Sequence, residues 1–189
     1  MGLAVDAFGD PHIAVTTSSA NLPVTAEDVQ ARLAGKTDVY LAKFSRQGWR
    51  LLYATYYGGS GEDSAGYDGG SLKVDDQGRL YLAGFTDSAD LPTETPVQRR
   101  FGGGDADGFV AVIDSRKSAL EFATYVGGSG RDLLEGLSIS SQGGVWASGL
   151  TASRDLLTTG GLQPAHGGGM FDAMVIQISQ IIKTHPNAR

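Results

Sequence analysis

Hydrophobic residues along this chain fall in short runs, each bounded by clusters of Gly, Asp and Ser. The runs VYLAKF from Val39, LLYATYY from Leu51, SLKV from Ser71 and RLYLAGFT from Arg79 are rich in Val, Leu, Tyr and Phe. Runs of that composition and length predict strands. FVAVI, from Phe109 to Ile113, is apolar at every position instead of alternating. That pattern predicts a strand covered on both faces. Asp75-Asp76-Gln77-Gly78 and Ser140-Ser141-Gln142-Gly143 read as tight turns between strands, with the glycine supplying a positive φ. Helical periodicity amounts to a single turn, over 26–33.

The pattern repeats. LLYATYYGGSGED from Leu51 returns as LEFATYVGGSGRD from Leu120, with Tyr53 and Phe122 standing 69 residues apart. The same shift lays Gly9 on Gly78, His12 on Tyr81, Ala14 on Ala83, Thr17 on Thr86 and Leu22-Pro23 on Leu91-Pro92. A third copy, SSQGGVWASGLTASRDLLT, places Gly143 65 residues after Gly78. DVYLAKFS from Asp38, DGFVAVIDS from Asp107 and DAMVIQIS from Asp172 recur in the same phase. Asp63 to Val74 is four residues longer than Asp132 to Ile139, which places an insertion around Asp68 to Ser71. Self-similarity at such a period marks a repeat architecture.

Each unit predicts four strands: one after the Asp, one ending in GGSG, one ending in the tight turn, and one ending in Gly-x-Thr. Four-stranded units in tandem, buried on both faces, predict an all-β fold of antiparallel β-propeller blades. At the residue level, AxYxTYxGGSGxD followed by VDxxGxxYxxGxTxSxDLPT and Q…FGGGxDxFVAxI resembles the bacterial β-propeller repeat known as SBBP. The resemblance runs from about Val5 to Ser179 and is best in the unit from Asp38 to Asp107. His12 stands where an aromatic is usual, Leu157 replaces the Pro of LPT, and Ala34-Gly35-Lys36 replaces the triple glycine. The resemblance implies a propeller carried by large secreted or surface-attached bacterial proteins, and it implies no catalytic residue.

The expected division is a repeat segment over 1–179 and a divergent tail over 180–189. Within it lie a partial blade at 1–37, a blade at 38–86 with loop 87–106, a blade at 107–151 with loop 152–171, and a partial blade at 172–179. The strands at the two ends make a third blade lacking its GGSG strand, because QIIKTHPNAR after Ser179 abandons the pattern. Three blades do not close a ring, so either a longer parent chain or a homo-oligomer, such as a dimer, completes it.

Composition narrows the function classes. The 189 residues include 28 glycines and carry a net charge of −6, which gives no electrostatic footprint for nucleic acid. No apolar run approaches the length of a membrane span, and no charged-then-apolar leader follows Met1. With no cysteine in the sequence there is no disulfide and no thiolate metal site.

Candidate chemistry is sparse. GGSGED and GGSGRD match the calcium β-roll pattern, with Asp63 and Asp132 as ligands, but the copies are 69 residues apart where the roll repeats about every nine. Loop-capping by these aspartates is the favoured reading. The recurrent Asp38, Asp107 and Asp172 read the same way, and the Asp105/Asp107 pair is weak evidence for a metal. His12 and His166 occupy the slots of Tyr81 and Phe101, so they read as packed rings, and His185 lies in the tail. Ser60 lacks the closing glycine of a nucleophile elbow, and no phosphate-binding loop occurs. The turn VDDQGRLY from Val74 resembles a sialidase-type Asp-box without its first serine. Arg99-Arg100 is the one adjacent arginine pair. The long excursions from Asp87 to Asp107 and Asp155 to Asp172 are the expected binding surface, and Trp49 is expected to be exposed.

The expectation is a non-enzymatic scaffold or adhesion segment of a larger extracellular or cell-surface protein, binding a protein or glycan, with no cofactor and no metal. The alternatives are a calcium-stabilised repeat and part of a glycan-active enzyme.

Overall fold

A computed structural model describes residues 1–25, 27–67, 69–141, 144–157 and 161–179. Three antiparallel sheets follow one another along the chain. The first takes β1 (Gly2–Val5), β2 (Pro11–Thr17), β3 (Asp38–Phe44) and β4 (Leu51–Tyr57) in that order. The second takes β5 (Asp63–Ala65), β7 (Arg79–Thr86), β8 (Asp107–Asp114) and β9 (Ala119–Val126), with β6 (Leu72–Val74) also on β7. The third takes β10 (Asp132–Ile139), β11 (Val145–Thr151) and β12 (Asp172–Ile178). One four-residue helix, α1 (Glu27–Gln30), falls inside the segment where a single helical turn is expected.

Pairing sets the phase of the repeat. A unit counted from Asp38 or Asp107 straddles two sheets, because β3 pairs β2 and β8 pairs β7. The divisions at 37/38 and 106/107 therefore cut each sheet between its second and third strands. Excursions 18–37 and 87–106 leave a sheet and return to it, whereas the glycine loops 58–62 and 127–131 carry the chain onward to the next. The longest connections thus lie within sheets, while those that pass between sheets are only five residues long. The tail at 180–189 lies outside the described residues.

The insertion is where the sequence places it. β5 and β6 are two pieces of one strand, both on β7, separated by a loop at 66–71. Ala83 spans the gap, donating its amide to Ser71 O and accepting from Gly66 N. In the third sheet the equivalent β10 runs on with only a bulge between Leu134 and Gly136. Gly70 O accepts from Leu137 N there, so the inserted loop leans on that bulge. The turn predicted at Asp75–Gly78 also forms, with Gly78 at a φ near +75° and its counterpart Gly9 near +82°, values that side-chain-bearing residues rarely adopt. Gln142 and Gly143 of the other predicted turn lie outside the described residues.

The sheets pack face to face. Along β8, Phe109, Ala111 and Ile113 join Val39, Leu41, Tyr53 and Tyr57 in a core between the first and second sheets. Val110 and Val112 point the other way, to Leu134, Val145, Ala147, Met174 and Ile178 of the third. All eight residues of β8 are buried, as its unbroken apolar run requires. The outward face of the first sheet, with Tyr40, Ala42, Ala54 and Tyr56, is covered by Leu22, Val24 and Leu33 of its own excursion. The outward face of the third sheet is bare: Trp146 is 44% exposed and Val175 70%.

Phe109 is fully buried, its ring 5.6 Å from that of Tyr57 across the sheet junction. Urea unfolding of Phe109→Ala should show a loss of about 3–5 kcal/mol, the cost of emptying a packed aromatic site. Trp146→Ala, on the bare face, should stay within about 0.5 kcal/mol of the parent. Equal effects at the two positions would contradict the face-to-face packing.

Candidate functional site

The recurring glycine motif forms the junction between sheets, and the chemistry-bearing residues gather around it. A chain turning out of one sheet and into the next leaves a run of amides with no ladder partner. Left unpaired in a buried place, each such amide is costly. Five consecutive amides face this problem at the first junction, and each donates to a side chain. Gly58 N donates to Gln30 Oε1, Gly59 N to Asp63 Oδ2, Ser60 N to Asp90 Oδ1, Gly61 N to Ser88 Oγ and Glu62 N to Asp87 Oδ1. The acceptors come from three places: the excursion before β3, the loop itself and the segment after β7.

The second junction repeats this almost atom for atom. Gly127 N donates to Gln98 Oε1, Gly128 N to Asp132 Oδ2, Ser129 N to Asp155 Oδ1 and Gly130 N to Ser153 Oγ. The fifth place differs, because Ala152 stands where Asp87 stands in the first copy. Backbone bonds tie the same segments together, Asp63 N to Thr37 O and Asp132 N to Ala106 O.

Of the carboxylates singled out from sequence, Asp38, Asp63, Asp107 and Asp132 are buried at these junctions, whereas Asp172 is half-buried and Asp105 exposed. Asp63 accepts from Thr86 Oγ1 on Oδ1 and from Ser88 Oγ and Gly59 N on Oδ2, at 2.5, 2.9 and 2.7 Å. Asp132 accepts from Thr151 Oγ1, Ser153 Oγ and Gly128 N in the same arrangement. Asp38 accepts from Ala34 N, Gly35 N and Gln30 Nε2, and Asp107 from Gly102 N and Gln98 Nε2. Gly58 is pressed between two of them: a Cβ there would stand 2.6 Å from Asp38 Cγ and 2.8 Å from Asp63 Oδ2. Gly127 is pressed against the Asp107 carboxyl, which a Cβ there would meet head-on. Glycine is obligatory at both positions on grounds of space alone.

Burial makes Asp38, Asp63 and Asp107 reluctant to ionise. Asp63 is pushed up to about 6, chiefly by burial, with the charge of Asp38 adding to it. Asp107 is pushed up to about 7, again by burial first, with Asp132 and Asp155 adding to it. Its Oδ1 is buried and accepts no hydrogen bond. Asp90 and Asp155, near the surface, are lowered by the Ser60 and Ser129 amides they accept.

The histidines do structural work where the structure describes them. His12 is fully buried in the slot of Tyr81 and makes the same bond: His12 Nε2 meets Asp6 Oδ2 at 3.1 Å, as Tyr81 OH meets Asp75 Oδ2 at 3.2 Å. Lys43 completes a local cluster, 2.8 Å from Asp6 and 3.1 Å from Asp10. Burial holds His12 below its ordinary pKa. His166, in the slot of Phe101, lies 3.6 Å from Asp172, while His185 falls outside the described residues. Asp75 of the Asp-box-like turn caps that turn, accepting from Gln77 N and Arg79 N, and pairs with the Arg79 side chain at 2.6 Å.

The remaining candidates are not brought together. Ser60 donates to Asp90 and has no histidine beside it. Arg99 and Arg100 are exposed, and so is Trp49, at 86%. Among the described residues, no three His, Asp or Glu side chains form a group able to hold a metal ion. A groove of about 350 Å³ runs over Gly136, Gly149 and Met174 on the bare side of the third sheet and contains none of these residues. Gln98 and Gln163 recur nine residues before Asp107 and Asp172, but Gln30 stands eight before Asp38 and so escapes that spacing. Compared with known proteins, the chain matches no family model and no curated relative.

The raised carboxyls carry a pH dependence whose sign follows from linkage. An Asp whose folded pKa lies above its unfolded value of about 4 favours the fold below that value and loses this contribution as pH rises through the folded one. For Asp63 and Asp107 the window is therefore pH 4 to 7. His12, held neutral, acts oppositely below about pH 6.5, so the clean measurement compares two proteins. The stability of the parent relative to Asp107→Asn should fall by about 2 kcal/mol between pH 5 and pH 8. A constant difference across that range would mean Asp107 is ionised throughout.

Proposed function

We propose that this chain is a non-catalytic segment of a β-propeller that serves as a scaffold or adhesion module in a larger extracellular or cell-surface bacterial protein. One observation carries the reading: at both junctions the motif's polar groups are engaged in holding one sheet against the next. The face-to-face stacking of three similar sheets is the arrangement of propeller blades. Likeness of the GGSGxD and DLPT elements to the SBBP repeat supplies the extracellular setting. The excursions and glycine loops gather at one end of the sheets and the hairpin turns at the other, which gives a module two distinct loop surfaces. A protein or glycan ligand would meet one of them.

Further blades complete the ring in this reading, from a longer parent chain or from other copies. The bare face of the third sheet fits such a neighbour. Trp146, Leu150 and Val175 occupy the places that Tyr81, Phe85 and Val110 fill in the second sheet, where the third sheet covers them. The calcium alternative has less support, because both oxygens of Asp63 and of Asp132 already accept from protein donors. A glycan-cleaving site has less again, because Asp114, which pairs with exposed Arg116, and Glu121 are both ion-paired to Lys117.

Thermal melts test the scaffold reading directly. Addition of a strong chelator, or of millimolar calcium after it, should leave the melting temperature unchanged to within about 1 °C. A calcium-dependent rise of several degrees would transfer the GGSGxD loops to the ion-binding reading, since a ligand bound only by the folded state stabilises it.

A further inference from the structure

In both complete sheets the third strand has a fourth beside it. β3 takes β4 and β8 takes β9, and both fourth strands read Ala-Thr-Tyr followed by a residue and Gly-Gly. Leu41 stands opposite Thr55 and Ala42 opposite Ala54; Val110 stands opposite Thr124 and Ala111 opposite Ala123. The outer edge of each fourth strand is then covered by its excursion, as where Glu94 exchanges backbone bonds with Ala123. The third sheet stops short. Among the described residues nothing pairs with the edge of β12 that faces away from β11.

The bracing that receives a fourth strand is nevertheless built. In the first sheet Gln30 Nε2 donates to Asp38 Oδ2 and Arg32 O, while its Oε1 accepts from Gly58 N, the first glycine after the strand. In the second, Gln98 Nε2 donates to Asp107 Oδ2 and Arg100 O, and its Oε1 accepts from Gly127 N. In the third, Gln163 Nε2 donates to Asp172 Oδ2 at 3.4 Å and to Ala165 O at 3.2 Å, the same two kinds of partner. Gly167 N donates to Asp172 Oδ2, as Gly102 N does to Asp107 Oδ2. Among the described residues no amide is placed on Gln163 Oε1.

We propose that the free edge of β12 is a strand-acceptor site for an extended segment of the pattern aromatic-Ala-Thr-Tyr-x-Gly-Gly. The segment lies antiparallel to β12, its Thr opposite Val175, its Ala opposite Ile176 and its first glycine amide on Gln163 Oε1. Backbone pairing supplies affinity in this mode of recognition, and side-chain fit supplies specificity. The site rests on the pairing of the three sheets and does not depend on ring closure.

Other occupants fit less well. Both segments of this pattern in the chain, at 53–59 and 122–128, are already built into their own sheets. A second copy has none to give without dismantling a sheet. The sequence after Ser179, QIIKTHPNAR, contains neither Ala-Thr-Tyr nor Gly-Gly. The fitting partner is a further segment of the same repeat pattern.

A labelled synthetic peptide with the sequence of residues 119–132, titrated into the full chain and followed by fluorescence anisotropy, tests this. Saturable binding is expected, with slowed amide exchange along β12. A control peptide carrying T124P should not bind, because proline removes a ladder donor. Gln163→Ala should weaken binding by about fivefold to tenfold, the worth of one hydrogen bond. Gln163 is exposed, so its variant should keep the parent's circular dichroism and melt. No saturable binding, or equal binding of the proline control, overturns the proposal. Light scattering on the same sample then tells whether a second copy fills the edge or the chain's own last residues do. The chelator melt reads the scaffold proposal independently of either outcome.

Discussion

The structure depends on answering the amides of a glycine turn that no strand can pair. Between one sheet and the next the chain reverses within five residues, 58–62 or 127–131, in a region crowded by three segments. Gly58 and Gly59 are buried there, so their amides must find acceptors within the protein, while Ser60 and Glu62 stand on the exposed outer side of the turn. Side chains provide them, and they must arrive from both flanking sheets. Asp63 comes from the strand just entered, Ser88 and Asp90 from the segment after β7, and Gln30 from the excursion before β3. Each contact therefore spans the junction. The length of the excursions follows from this, because a two-residue hairpin between β2 and β3 could not deliver Gln30 to Gly58.

The apolar layers and the polar junction reinforce one another. Tyr125 lies in the core between the first two sheets, yet its hydroxyl donates to Ser88 O and accepts from Leu91 N. Tyr56 does the same with Ser19 O and Leu22 N. One ring thus fills apolar space and fastens the start of an excursion, the use for which a tyrosine is suited where a phenylalanine is not. The fastened excursion in turn carries Asp90 to Ser60 and covers the edge of the fourth strand, which would otherwise invite further pairing. Losing the tyrosine hydroxyl would loosen the loop before it loosened the core.

Much of this was legible in the chain itself. The 69- and 65-residue spacings located the strands other than β5, and the four-residue difference, expected around Asp68 to Ser71, falls in the loop that parts β5 from β6. His12 in the slot of Tyr81 read correctly as a packed ring, and the structure adds that it keeps the tyrosine's bond to the turn aspartate. The phase of the sheets was not legible. A period has no origin, and the usual guide, that long connections separate units and short ones join neighbours, fails in this chain. Glycine loops five residues long cross between sheets, while connections of twenty stay within one. The partners of the buried aspartates were also hidden. Gln30, Ser88 and Asp90 are ordinary loop residues in sequence, and only their convergence on one turn gives them a role.

Repetition also bears on where any specific activity could reside. What two junctions share atom for atom belongs to the frame, since a scaffold needs the same joint at each step and a binding site does not. Specificity must then lie where the copies differ. Glu62 gives way to Arg131 and Asp87 to Ala152 at the same loop, which replaces two exposed negative charges with one positive. Trp49, exposed at the tip of a turn, gives way to Ser118. The loop at 66–71 has no counterpart in the third sheet, and the Asp6–His12–Lys43 cluster occurs only in the first. These differences lie on both ends of the sheets, outside the layers that hold them together. A partner that distinguishes one unit from another reads exposed differences such as these, because the joint beneath them is nearly the same each time.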